Sequence, residues 1–238
     1  MKVRISTFFY LRKMRKIIAY LIVSSFFIYG CSNSNKALPK ILIIGDSISG
    51  GYFPYVKENL AGKAELFQPI IYDDKGNIKS CCGGTTQGVE EIDIYLKDKK
   101  WDIIHFNFGL HDIKHIDPNT GKNSKNLNHP RQASPEQYEI NLIEIVKKLK
   151  QTGAKLIFAT TTPYPDKLGK QMRSPGMPKI YNEVALRVIN KNGIEINDLY
   201  NFVLPRMDEL QRPNNVHFHE KGSKALAAQV TNSILKQF

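Results

Sequence analysis

Two residues far apart in the chain have the types needed for nucleophilic catalysis. Ser47 stands in Gly45-Asp46-Ser47-Ile48-Ser49, directly after the apolar run Ile41-Leu42-Ile43-Ile44, and His217 stands in Asn214-Asn215-Val216-His217-Phe218. A serine hydroxyl is a weak nucleophile and needs a base, a task that suits a neutral imidazole. A serine at the carboxyl end of a buried strand, near a helix N-terminus, would also have N–H groups about it that favour developing negative charge. Each residue has a plainer reading. Asp46 and Ser47 can simply cap the helix that follows, and a loop histidine is commonly a solvated surface residue.

The other histidines suit the role less. His115 and His129 fall in polar loops, and His219 opens the last helical segment. His105, His111, Asp112, His115 and Asp117 crowd one region, with His111 and His115 four residues apart. Gly109 and the turn-like surroundings argue against the regular helix that would present such a pair to a metal. His105 is therefore read as a residue packed within a strand and His115 as a solvated one, and neither a metal nor another cofactor is expected.

Elements must bring Ser47 and His217 together. Apolar runs predict strands at 41–44, 64–71, 101–108, 155–161 and 194–197, and helical patterns fall at 53–61, 89–96, 134–152, 178–192 and 219–236. Ser134-Pro135-Glu136-Gln137 supplies an N-cap, a first-turn proline and early acidic charge, and Gly153 a C-cap. Strands alternating with helices of this length argue for a parallel α/β sheet covered on both faces. The aperiodic stretches 113–133 and 164–177 follow the third and fourth strands, at the sheet edge where ligands of open α/β sheets bind.

The first thirty residues read differently from the rest. Lys2, Arg4, Arg12, Lys13, Arg15 and Lys16 precede the apolar run Ile17–Ile28, with no acid among them, and Gly30-Cys31 follows. This is the pattern of a secretory signal peptide, too short in its apolar part for a membrane span of about 20 residues. Met14-Arg15-Lys16 offers a second possible start. Gly30-Cys31 resembles a bacterial lipobox, which implies a lipid on Cys31 and membrane attachment in the cell envelope, while an uncleaved signal anchor is the alternative. The organisation expected is residues 1–30 as signal peptide, 31–38 as lipidated cysteine and tether, and 39–238 as the catalytic domain. Removing residues 1–30 takes six of the 34 basic residues and leaves a balance of +6. No basic cluster is interleaved with aromatics, so nucleic acid is not an expected partner. Cys81 and Cys82 are adjacent, which forbids an ordinary loop-closing disulfide. Two small buried side chains are expected there, with a strained vicinal bridge as the alternative.

The blocks of chemistry resemble, in order, those of the SGNH (GDSL-like) hydrolases. Gly45-Asp46-Ser47-Ile48-Ser49 is similar to the first block, Gly83-Gly84-Thr85-Thr86 to the glycine block, Gly109-Leu110-His111-Asp112 to the G-x-N-D block, and Val216-His217-Phe218 with Gly222 to the last. The resemblance implies a three-layer, flavodoxin-like fold with a five-stranded parallel sheet, and ester hydrolysis through an acyl-enzyme. It also implies Ser47 as nucleophile, His217 as base, and an oxyanion hole made by the N–H groups of Ser47 and Gly84 with a third donor at position 111. Two positions depart from the family pattern. His111 replaces the usual asparagine donor, and a neutral imidazole N–H in the right tautomer can still fill that role. Asn214 stands where the family has its acid, three residues before the histidine; its amide oxygen could orient the ring but supplies no charge, and Asp208 or Glu209 could substitute. The expected substrate is a small-acyl ester, for example an acetylated carbohydrate. A lipase or thioesterase is the enzymatic alternative, and a noncatalytic glycan-binding protein derived from the fold is the other. Oligomeric state is not legible.

Overall fold

The computed structural model describes residues 37–238 except 73, 74, 77, 80, 81, 98 and 169–172. The signal segment, Cys31, most of the tether and Cys81 lie outside the described residues.

The apolar run after Lys40 forms β1 (Lys40–Ile44), whose last four residues are buried. Such a strand needs cover on both faces, and it is an interior strand, second from one edge, of a sheet of five parallel strands. Beside it lie β2 (Glu65–Phe67) and β5 (Ile103–Phe106), followed outward by β6 (Lys155–Ala159) and β7 (Glu195–Asn197), in the order β2-β1-β5-β6-β7. Counted within the sheet alone this is 2-1-3-4-5, the flavodoxin-like order expected. A two-stranded antiparallel pair, β3 (Ile71–Tyr72) with β4 (Ile78–Lys79), lies outside the sheet.

Helix α1 (Ser47–Asn59) begins six residues earlier than its sequence pattern suggests. Gly50, Gly51 and Pro54 look like breakers, but Asp46 Oδ1 accepts the Ile48 N–H at 2.9 Å and starts the helix at Ser47. Helix α2 (Thr85–Leu96) likewise starts earlier, for a tertiary reason given below. Helix α3 (Pro135–Gln151) is capped by Ser134 as its sequence indicates, and α4 (Met177–Lys191) follows β6. Short helices α5 (Leu199–Val203) and α6 (Met207–Leu210) fill the stretch that has no clear sequence pattern, and α7 (Glu220–Leu235) closes the chain. Helix α1 packs on α7, while α2, α3 and α4 pack in series. Among the described residues no helix is long and apolar enough to cross a membrane.

Two local expectations are corrected. His115 is not solvated: it is 2% exposed. Its Nδ1 meets the His129 carbonyl at 2.6 Å and its Nε2 the Ser174 hydroxyl at 3.1 Å, tying the two irregular stretches together. Cys82 is buried as expected but is disulfide-bonded rather than a free thiol. His105 is buried within β5, edge-on to Tyr52 and 3.1 Å from Asn197 Nδ2.

Candidate active site

Ser47 and His217 are separated by 170 residues and meet across the carboxyl edge of the sheet, with Ser47 Oγ 2.9 Å from His217 Nε2. Ser47 is the first residue of α1, where helix geometry leaves the backbone N–H without an intrahelical acceptor. His217 sits in the loop between α6 and α7. That loop is held by Arg212 N–H donating to the His217 carbonyl at 2.9 Å and by Gln211 Nε2 donating to Pro163 at 2.6 Å.

The orienting residue differs from the one expected. Asn215 Oδ1, not Asn214, lies 2.8 Å from His217 Nδ1, and the same oxygen accepts the His217 backbone N–H at 3.0 Å. An oxygen that accepts from the residue two positions on closes an Asx turn. The turn places it beside that residue's own imidazole. Asn214 takes the left-handed conformation, at φ 53°, on the outside of the turn, and is exposed. Because an amide oxygen can only accept, Nδ1 carries the hydrogen and Nε2 is bare, ready to accept from the Ser47 hydroxyl. Burial lowers the His217 pKa; Asp46 raises it, while Arg212, Arg173 and Lys114 lower it further. Neither Asp208 nor Glu209 is hydrogen-bonded to the imidazole, and Glu209 instead pairs with Lys221 at 2.5 Å.

The glycine block and the His111 block are joined by one carboxylate. Asp112 Oδ1 accepts the Thr85 N–H at 2.7 Å and the Thr85 hydroxyl at 2.5 Å. Asp112 thus caps α2 from another element, with Gly84 at the N-cap position. A Cβ on Gly84 would stand 3.0 Å from Asp112 Oδ1, so glycine lets the two loops close on each other. Gly109 has φ +143°, and a Cβ there would collide with Thr161 Oγ1, which explains glycine at the turn that aims His111 and Asp112. Burial raises the Asp112 pKa to about 7, against the two Thr85 hydrogen bonds that lower it.

His111 is half-buried beside the glycine loop: a Cβ on Gly83 would lie 3.4 Å from its Nδ1. Lys114 Nζ stands 3.0 Å from that Nδ1 and 3.4 Å from Nε2, against the ring and not along one nitrogen's lone pair. Sequence inspection missed Lys114; its spacing of three from His111 was the available signal. Arg173, 5% exposed, donates from Nε to the Leu110 carbonyl in the same block. Burial, with Lys114 and Arg173 nearby, pushes the His111 pKa down to about 3, so the ring is neutral at physiological pH. Among the described residues no three His, Cys, Asp or Glu side chains are grouped to hold a metal ion.

The family model for GDSL-like lipases and acylhydrolases matches residues 43–225, which contain all of these groups. The chain belongs to that family. Its members are SGNH hydrolases, and the protein is a carboxylic ester hydrolase. Solved structures share the fold at low identity. An acetyl xylan esterase is 18% identical, with a TM-score of 0.61, over 82% of this chain and 99% of its own. A lipase/acylhydrolase from Enterococcus faecalis is 20% identical, with a TM-score of 0.63, over 84% and 97%. The esterase EstA from Pseudoalteromonas sp. is 15% identical, with a TM-score of 0.59, over 83% and 97%. No curated protein matches the sequence. Within the family frame Ser47 occupies the first block and His217 the last, and the line from Ser47 Oγ through His217 to Asn215 can carry a proton off the hydroxyl.

Proposed function

We propose that this hydrolase removes acetyl or other small acyl groups from carbohydrate esters, with Ser47 as nucleophile and His217 as general base. The observation that carries the small-acyl reading is the size of the site. The depression lined by Ser47, Ile48, Arg212, His217 and Phe218 holds about 280 Å³, near the lower limit of small-molecule sites. A long acyl chain would need a longer apolar groove. The acetyl xylan esterase among the structural neighbours supports the carbohydrate class by analogy alone.

In the mechanism Ser47 Oγ bonds to the ester carbonyl carbon as His217 Nε2 takes its proton. The oxyanion lies against the N–H groups of Ser47 and Gly84 and the His111 ring. On collapse the alcohol leaves with the proton from His217, and water, deprotonated by the same nitrogen, frees the acid and Ser47. Asn215 keeps the Nδ1 hydrogen in place throughout but adds no negative charge. The basic and apolar N-terminal segment ending in Gly30-Cys31 supports attachment to a bacterial envelope membrane through a lipid on Cys31. Cys31→Ala should then move the protein from the membrane to the soluble fraction.

Hydrolysis of p-nitrophenyl acetate and longer p-nitrophenyl esters, with fluorophosphonate labelling, tests the activity. Turnover should be fastest with acetyl, and Ser47→Ala should lose both turnover and label. Absence of both in the wild type would overturn the assignment of Ser47 as nucleophile. Faster turnover of long-chain esters would favour a lipase.

A further inference from the structure

The line of Ser47, His217 and Asn215 carries no formal charge, but the wall beside it does. Arg212 lines the depression that holds Ser47 and His217, and no acidic residue lines it. The side chain is exposed, yet its root and its Nε are fixed. The backbone N–H of Arg212 donates to the His217 carbonyl at 2.9 Å, and its Nε donates to the Phe218 carbonyl at 3.0 Å. Both acceptors belong to the histidine and its neighbour, so the guanidinium keeps its place on the loop that carries the imidazole. With Nε engaged, the two Nη groups remain as an end-on fork, whose spacing suits the two oxygens of a carboxylate.

Among the described residues no carboxylate pairs with Arg212. The acids at the flanking helices have other partners: Glu209 of α6 pairs with Lys221 at 2.5 Å, and Glu220 of α7 with Lys224 at 2.7 Å. A fixed cation without an internal counter-ion, in the wall of a catalytic depression, is free to meet a substrate. Resting on the carbohydrate ester reading above, we infer that Arg212 is a specificity residue that binds a carboxylate on the alcohol half of the substrate, so that the preferred ester is an acylated acidic sugar of the uronic acid type.

The placement decides which half of the ester bears the anion. His217 hands its proton to the leaving alcohol, so that alcohol lies against the imidazole. Arg212 shares the loop of His217, whereas Gly84 and His111 stand on other segments of the chain. An anion held by Arg212 is thus on the sugar, and the acyl group stays small. The field at the imidazole agrees in sign. Burial lowers the His217 pKa most; Asp46 raises it, and Arg212, Arg173 and Lys114 lower it. Three cations against one acid draw an anionic substrate toward the imidazole and repel a cationic one. A sulfate ester would present three oxygens to the same two Nη donors, which fit a carboxylate better.

The experiment measures acetate release from acetylated methyl glucuronide, from its methyl ester and from a sulfated acetyl glucoside, at low and high salt. In the wild type kcat/KM should be on the order of tenfold higher for the carboxylate than for its methyl ester. The preference should shrink as salt rises, because the pair forms at an exposed site. Arg212→Gln should bring the ratio near one, and Arg212→Lys, which keeps the charge without the fork, should fall between. Each ratio is taken within one protein at one pH, so a change in folded fraction or in the His217 pKa cancels. A wild-type ratio near one, or a ratio unchanged in Arg212→Gln, would overturn the assignment, and faster turnover of the sulfate would overturn the carboxylate as its ligand. Turnover of p-nitrophenyl acetate without turnover of any sugar ester would instead overturn the carbohydrate reading. Calorimetric titration of the two glucuronides into Ser47→Ala then judges Arg212 without hydrolysis: about tenfold tighter binding of the carboxylate supports the site, and equal or absent binding overturns it.

Discussion

The two halves of the site are built in opposite ways. On the serine side, Ser47, His217 and Asn215 form a line in which nothing carries a formal charge, held by short loop contacts at a half-open surface. On the other side, His111 and Asp112 are interlocked with Lys114, Thr85 and Gly84 in a charged, largely buried cluster. In an ordinary triad the charge that stabilises the transition state stands behind the histidine. Here no formal charge stands behind His217, and the charged groups gather instead around His111 and Asp112. The contrast teaches that one order of sequence blocks can build a site with a neutral half and a charged half.

The most severe way to break that contrast is to remove the base. His217→Ala should lower kcat/KM at least about 10³-fold, because what remains is the oxyanion hole and binding. An ester assay with folded, fluorophosphonate-competent wild type as reference checks it. Next comes the carboxylate that joins the loops of the charged half. Asp112→Ala leaves the buried Thr85 N–H and hydroxyl without their acceptor and should cost about 1–3 kcal/mol of stability, read by urea denaturation. The same change should lower kcat, since α2 would no longer hold Gly84 in place.

The smallest effects sharpen the neutral half. Asn215→Ala removes both hydrogen bonds that hold His217, one of them to the ring, and should lower kcat/KM about tenfold, whereas Asn214→Ala should leave it within about twofold. The base works only when neutral, so activity falls as pH falls through the His217 pKa, which burial and the nearby cations set below its ordinary value. Asn215→Asp would put an anion beside the imidazolium, raise that pKa and move the acidic limb to higher pH. A larger limb shift in Asn214→Asp would mean that the loop rearranges to the ordinary triad.

Much of this was legible from residue types alone. The run Ile41–Ile44 announces a buried parallel strand because only a strand covered on both faces is apolar at every position. Ser134-Pro135 announces the start of α3 because its cap is local, Ser134 Oγ accepting from Gln137 N–H. The start of α2 was not legible, because its cap comes from Asp112, 27 residues further on. The start of α1 was legible only in part: Asp46 could be read as its cap, but Gly50, Gly51 and Pro54 suggest a break that the cap and packing against α7 override.

The sequence by itself determined the alternation of strands and helices, since periodicity is a property of the chain, and its ordered blocks carried the resemblance that implies the family and its flavodoxin-like sheet. It did not determine which asparagine faces His217. Spacing pointed to Asn214, and the Asx turn that selects Asn215 depends on a backbone conformation visible only after folding. Nor did it show that Lys114 backs His111, or that His115 is a buried tie rather than a solvated loop residue. Those contacts depend on how irregular loops pack over the sheet edge. No periodic pattern encodes that packing, and only the tertiary structure decides it.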